Sequence, residues 1–232
     1  MRKYKLLYFV SEDEYFLSHK IDQACSALKN NFEVLVVCNF TDKEKKIQSY
    51  GFKTKHIEIN RGSINPLREL FCIIKLFLII IKFKPDLIQS VALKPILYTS
   101  IISKVFRKQK MIFCVVGLGY VFISKKISSK ILKFTYVSLI NIFLKKMKVL
   151  FIFQNKEDKL IFKNNKITKF AKTTIIYGSG VDTDLFKSKK TKKIYDIIFH
   201  SRILYDKGIL ELINAIKEIR KKKKITVLIL GN

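Results

Sequence analysis

The sequence predicts an α/β protein with a parallel, doubly wound sheet, followed by the beginning of a second unit of the same kind. Three observations lead there. Short apolar runs of strand length alternate with segments of helix length along the whole chain. Prolines fall where helices begin or where they stop, as Pro66, Pro95 and Pro85 do. A polar stretch, Lys187 to Lys193, follows a glycine-containing turn and separates a long series of alternating elements from a short one.

In order, strands are expected at Lys5–Val10, Glu33–Cys38, Lys53–Ile59, Leu87–Val91, Met111–Val116, Val149–Phe153 and Thr173–Tyr177, each short and rich in β-branched or aromatic residues. Helices fit between them at Phe16–Lys29, Pro66–Lys84, Pro95–Phe106, Ile127–Lys146 and Lys156–Asn164. Pro66 and Pro95 suit a first helical turn, whose N–H groups have no partner within the helix, and Pro85 closes the helix before it. These elements make one Rossmann-like domain, residues 1–186. After the linker come a strand at Ile194–Phe199, a helix at Ile209–Lys221 and a strand at Ile225–Leu230. One such unit cannot cover both faces of a sheet, so the second Rossmann-like domain, 187–232, is expected to be incomplete.

The composition narrows the function classes. The chain has 232 residues, 49% hydrophobic, enough for a substantial core. Its 46 Lys and Arg against 18 Asp and Glu give a formal charge of +28. That favours an anionic partner, although a Lys- and Ile-rich compositional bias also produces it. Only six of the cations are Arg, which suits diffuse attraction better than bidentate recognition of bases, and no aromatic-plus-basic motif for nucleic acid is present, so no nucleic-acid partner is expected. Cys25, Cys38, Cys72 and Cys114 stand far apart in apolar patterns, and His19, His56 and His200 do not join them. Reduced core thiols are expected, and no metal site. The first apolar run is too short for a signal peptide. No stretch reaches the roughly 18 apolar residues that a spanning helix needs, so the chain is expected not to cross a membrane. Leu67 to Phe83 and Ile131 to Met147 are nonetheless apolar nearly all round, with Lys125, Lys126, Lys130, Lys133, Lys145, Lys146 and Lys148 around the second. They are either helices buried under the sheet or helices one of which enters an anionic bilayer surface.

Chemistry-bearing residues gather after strands. Behind the first lie Asp13, Tyr15 and His19. Asp13 either meets sugar hydroxyls or caps the next helix, and His19 suits a packed or surface position at least as well as a base. Gly117 and Gly119 follow the fifth strand as half of a GxGxxG, with Phe122 where a third glycine would stand. Glycines there can open backbone N–H groups to a phosphate or sugar. Gly178, Ser179, Gly180 and Asp182 follow the seventh strand, as a plain turn or as the lining of a domain junction. Arg202 and Lys207, with Gly208, occupy the loop between a strand and a helix, where a helix N-terminus and two cations suit a diphosphate. No GxSxG, HExxH or GxxxxGK[ST] pattern occurs, which disfavours hydrolases and nucleoside triphosphatases and is compatible with a transferase.

Taken in register, several stretches resemble the GT-B glycosyltransferases of family 4, in particular the group that acts on lipid-linked sugars in bacterial surface-polysaccharide and glycan assembly. They are Asp13-Glu-Tyr-Phe-Leu-Ser-His19, Lys84-Pro-Asp-Leu-Ile88, Gly117-Leu-Gly-Tyr-Val-Phe122, Phe151-Ile-Phe-Gln-Asn155 with Asp158, Gly178-Ser-Gly-Val-Asp182 through Phe186, and Arg202 through Lys207-Gly208 to Leu230-Gly231. The resemblance implies two Rossmann-like domains facing a cleft, with Arg202 and Lys207 holding the diphosphate of a nucleotide-sugar donor, usually a UDP-sugar. It implies Asp13, Tyr15, His19, Gly117 and Gly119 on the cleft and acceptor side, and Gly178, Ser179, Gly180 and Asp182 at the approach to the hinge. Transfer would retain anomeric configuration and need no metal or other cofactor. The acceptor implied is a saccharide on undecaprenyl diphosphate, reached from the cytoplasmic face of the plasma membrane by docking on anionic lipid. Val116 stands where many relatives have a His, so the resemblance assigns no catalytic residue. Their paired glutamates, E-x7-E, would lie beyond Asn232, so the chain is expected to be a truncated form or fragment. A non-catalytic membrane-surface module is the alternative.

Overall fold

A computed structural model describes residues 2–60, 62–63, 65–106, 109–124, 126–188, 192–201 and 203–231. The chain divides into two compact units, Met1–Gly180 and Val181–Asn232. The expected boundary was after Phe186.

The first unit is built on β1 (Tyr4–Glu12), β2 (Phe32–Asn39), β3 (Lys53–His56), β4 (Leu87–Val91), β5 (Lys110–Val115), β6 (Val149–Phe153) and β7 (Lys172–Ile175). They pair in parallel in the order β3-β2-β1-β4-β5-β6-β7. The inner strands are largely apolar with little alternation because both faces are covered, whereas the edge strands β3 and β7 are polar and exposed or half-buried. Along β1, Leu7 and Phe9 face one side, and Leu6, Tyr8 and Val10 face the other.

Leu7, Phe9, Ile88 and their register partners pack under α4 (Pro66–Phe83) and α5 (Leu93–Ile102). Met111, Phe113, Phe151 and Phe153 continue that face under α7 (Ile127–Leu144) and α8 (Lys156–Asn164). The opposite face takes α1 (Asp13–His19), α2 (Ile21–Lys29) and α3 (Glu44–Ser49) through Phe16, Ala24 and Ile47. Asn65 caps α4, its side-chain oxygen accepting from Leu67 N and Arg68 N at 3.0 and 3.4 Å, and Pro66 follows in the first helical position. Lys84 ends α4 in the left-handed region at φ 53°, ahead of Pro85.

Several expected elements shift. The single helix Phe16–Lys29 is two, because the chain turns at Lys20 (φ −127°, ψ −9°) between α1 and α2. α3 and α6 (Gly119–Ile123) were not expected; each is too short to display a helical period. β3 stops at His56 and β7 at Ile175, where their ladders end, although Ile57 N still bonds Cys38 O. α7 has 18 residues and mean hydropathy 1.3, long and apolar enough by length and composition to cross a membrane, whereas the sequence reading found no such stretch. Lys130 and Lys133 interrupt its apolar run, so no 18 consecutive apolar residues mark it in the sequence. In the fold it sets Tyr136, Ile140 and Leu144 on the sheet. The thiols of Cys25, Cys38, Cys72 and Cys114 are all free.

The second unit has β8 (Ile197–His200) and β9 (Val227–Leu230), paired in parallel, with α9 (Ile209–Arg220) between them in sequence. Asp196 and Thr226 fix the register at the amino ends. The Asp196 carboxylate accepts from Thr226 N at 2.8 Å and from its hydroxyl at 2.9 Å. Among the described residues of this unit, only Ile209 and Ile225 are buried hydrophobics.

Candidate functional site at the carboxyl edge of the sheet

The strand order reverses between β1 and β4, where β1–β2–β3 runs one way and β4 onward the other. In open parallel sheets the crevice outside the carboxyl ends of such a pair is where ligands bind. Of the expected site residues, Asp13, Tyr15 and His19 follow β1, and Gly117 and Gly119 follow β5 next to β4.

Asp13 opens α1 directly after β1 and is buried, with 1% of its surface exposed. Its Oδ2 accepts from Thr41 N at 2.7 Å and Lys43 N at 3.2 Å, its Oδ1 from Glu14 N at 2.8 Å, and the Thr41 hydroxyl lies within 3.2 Å of both oxygens. Burial pushes the carboxyl up, but hydrogen bonds from Thr41, Lys43 and Glu14 outweigh it and hold the group below the usual carboxylate range. Asp13 therefore does take one N–H of its own helix. Its larger role is to tie the loop after β2 to the start of α1, and both oxygens are occupied in doing so. Two residues on, the Tyr15 and His19 rings stack with centroids 4.4 Å apart and planes 1° from parallel. Ser18 Oγ lies 2.7 Å from His19 Nδ1. His19 is exposed at the last position of α1, not within the first turns of a long helix.

Sequence reasoning missed Ala92, at the end of β4. Its φ of 78° with ψ of 164° belongs to a region that L-residues rarely adopt. Its N–H donates to Cys114 O on β5 at 3.0 Å, and its C=O accepts from Ile96 N at 3.1 Å, so the ladder and the first turn of α5 together impose the conformation. An alanine at this point in sequence gives no signal of it.

After β5, Gly117 (φ 142°) and Gly119 (φ 57°) bracket Leu118, whose side chain is buried in the core under α7. A Cβ on either glycine would meet nothing within 4 Å. The loop is thus anchored by one apolar side chain and presents open backbone on both sides of it. After β6, the Asn155 side chain caps α8, accepting from Asp158 N at 2.6 Å. Asp158 is itself buried, and burial raises its carboxyl above the usual range.

Asp13, Tyr15 and His19 on one side and Gly117 and Gly119 on the other therefore flank β4 along one sheet edge. Their strands are separated by two inter-strand spacings, about 10 Å. Gly178 (φ 72°), Ser179 and Gly180 (φ 76°) follow β7, two strands beyond β5, and are exposed. Asp182 belongs to the second unit, where its Oδ1 accepts from Asp184 N at 2.8 Å and Leu185 N at 3.1 Å.

In the second unit, Arg202 lies outside the described residues. Lys207 is exposed and ends a short 3-10 turn, Tyr205–Lys207. Gly208 follows at φ 78° and begins α9 without a side-chain cap, one residue after Lys207 in sequence. At the end of β9 stands Gly231. A Cβ there would fall on the Ser201 carbonyl oxygen, so the carboxyl ends of β8 and β9 meet backbone to backbone as only glycine allows.

Among solved structures, a glycosyltransferase from Rickettsia africae matches all of this chain over 61% of its own length, at 21% identity and TM-score 0.67. A sucrose-phosphate synthase from Thermosynechococcus elongatus matches 99% of the chain over 63% of its own, at 12% identity and TM-score 0.70. HepE from Anabaena, solved in complex with UDP and glucose, matches 97% over 60%, at 16% identity and TM-score 0.61. The chain thus spans about three fifths of the length of these proteins, and the fold it shares with them is the GT-B α/β fold. No curated protein matches it. The family model described as glycosyl transferase 4-like matches residues 5–155, well over half of the sequence, and the chain therefore belongs to that family.

Proposed function

We propose that the chain takes part in transfer of a hexose or N-acetylhexosamine from a UDP-sugar to a saccharide on undecaprenyl diphosphate, with retention, at the cytoplasmic face of the plasma membrane. The observation that carries this is the pairing of a family 4-like first unit with Lys207 at the uncapped N-terminus of α9. An ammonium and a helix N-terminus on one loop oppose the charge that a departing nucleoside diphosphate gathers. Arg202, in the same loop, is the second cation of this reading. On the acceptor side Asp13 is a positioning residue, since its oxygens already serve the Thr41–Lys43 loop. The Tyr15–His19 stack offers flat ring surface to a sugar, and the open backbone at Gly117 and Gly119 leaves room for the acceptor.

The test is entry of radiolabel from UDP-sugars into lipid-extractable product in membranes containing the full gene product. Lys207→Ala in that protein should lower kcat/KM for the donor about a hundredfold, the scale of losing one preorganised charge contact. Unchanged kinetics would remove Lys207 from the donor site. A second reading, a non-catalytic module at the membrane surface, is supported by the sparse core of the second unit. Calorimetry with UDP-sugar separates the two, since only the first predicts donor binding.

A further inference from the structure

α4 is two-faced in a way its composition conceals. At about 100° per residue, Cys72, Leu76, Ile80 and Phe83 share one side, and all four are buried against the sheet. Leu67, Leu70, Phe71, Ile74, Leu78 and Ile81 share the opposite side, within an arc of about 100°, and they are 44% to 78% exposed. Arg68, Lys75 and Lys82 recur every seven residues and form a row along one flank of that stripe. Lys75 is half-buried, with its Nζ 4.9 Å from the centre of the Phe71 ring. The helix's one acid, Glu69, turns inward to Lys94 at 2.8 Å and accepts from the Tyr98 hydroxyl.

A cavity of about 320 Å³ opens on the cationic flank, lined among others by Asn60, Arg68, Phe71, Lys75 and Tyr98. Lys94 Nζ ties three of its lining residues together, donating to Asn60 O at 2.7 Å and Ser63 O at 2.6 Å as well as to Glu69. With Glu69 neutralised, the cavity carries the two cations Arg68 and Lys75 against Glu58. Its volume is at the small end of ligand pockets.

We propose that the outer face of α4 docks on an anionic bilayer and that the cavity beside it receives the phosphate headgroup of one phospholipid. The exposed stripe supplies apolar area for the acyl boundary, and its flank supplies only positive charge. The flanking cations would oppose each other if a second copy packed on the same stripe, whereas they complement an anionic surface. α7, joined to α4 through α5 on the same side of the sheet, adds exposed Ile127, Ile131 and Phe134 with Lys130 and Lys133. The inference deepens the membrane part of the proposed function and rests on no step of sugar transfer.

Co-sedimentation with phosphatidylcholine vesicles, with and without phosphatidylglycerol, tests it. Wild-type chain should bind the anionic vesicles far more tightly. Arg68→Gln with Lys75→Gln should weaken that binding about thirtyfold and leave neutral vesicles unaffected, two cations near a charged surface being worth about that factor. Leu70→Ser, Ile74→Ser and Leu78→Ser together should weaken binding to both compositions about a hundredfold. As a readout that needs no variant, adding anionic vesicles to wild-type chain should slow amide exchange across residues 67–82. Equal affinity for neutral and anionic vesicles, a stripe variant that binds like wild type, or unchanged exchange in α4 would each overturn the proposal. A dimer in light scattering that the stripe variant abolishes would make this face a self-interface and overturn it as well. Displacement from vesicles by inorganic phosphate at matched ionic strength would turn the cavity into a free-phosphate site and overturn the headgroup assignment. UDP-sugar calorimetry on the stripe variant reads donor binding separately, so failure of the sugar-transfer reading leaves the vesicle result standing and the reverse also holds.

Discussion

Replacing Asp13 by Asn tests whether this residue acts by holding the carboxyl edge together. The carboxylate receives N–H groups on both oxygens: Thr41 and Lys43 on Oδ2, Glu14 on Oδ1. An amide has one acceptor and one donor end, so either rotamer sets an NH2 against at least one backbone N–H. With the oxygen toward Thr41 and Lys43, Glu14 N–H loses its partner, at about 1–3 kcal/mol, and the two remaining bonds lose their charge assistance. The expected cost of Asp13→Asn is about 3 kcal/mol. For a slope near 2 kcal/mol per molar urea, that moves the unfolding midpoint down by about 1.5 M. The pH dependence carries a sign. Because the folded pKa is lowered, the carboxylate's contribution is full above the unfolded value of about 3.9 and is lost as pH falls through the lower folded one. The gap between wild type and Asp13→Asn should therefore close on acidification through that window and be flat above it. A midpoint within a few tenths of a molar of wild type, or a gap that does not change with acid, would refute the reasoning.

Two further substitutions probe backbone that the residue types do not announce. Ala92→Gly should stabilise the chain by about 1 kcal/mol and raise the melting temperature by a few degrees, because relief of a strain of about 1–3 kcal/mol exceeds glycine's larger entropy loss on folding. A lower melting temperature in calorimetry would mean that the φ of 78° is not strained. Gly231→Ala should separate the carboxyl ends of β8 and β9, since the added Cβ meets the Ser201 carbonyl. Amide exchange at Val227 to Leu230 should rise while that of β1 and β4 is unchanged, and unaltered protection in β9 would show that the two ends can give way.

Most of the first unit was legible in the sequence because its signals are additive. The inner strands are the largely apolar runs that a two-sided parallel sheet needs, and Pro66 and Pro85 mark the two ends of α4. What escaped was set by contacts distant in sequence or by backbone geometry. Lys20 breaks α1 from α2 with no proline or glycine to mark it, and α3 is held by a single buried side chain, Ile47. The site divides in the same way. Gly117 and Gly119 take positive φ, a conformation that their residue type signals, but Ala92 is held at positive φ by bonds to β5 and α5 that no local pattern encodes. Asp13 was open between a ligand contact and a cap because its partners, Thr41 and Lys43, lie 28 and 30 residues away.

α4 extends that argument from the site to the surface. Its composition is apolar nearly all round, and a helix of that kind is buried under a sheet or sits in a bilayer surface. The fold resolves the two by face, not by helix. Cys72, Leu76 and Ile80 satisfy the first alternative, and Leu70, Ile74 and Leu78 remain for the second. A soluble covering helix normally turns polar residues to solvent, and here polar positions were available at no cost to the core. The exposed side is apolar over the full length of α4, and the positive charge beside it follows the same seven-residue spacing. Folding alone asks for neither feature, so both point to a partner that is apolar in its depth and anionic at its surface.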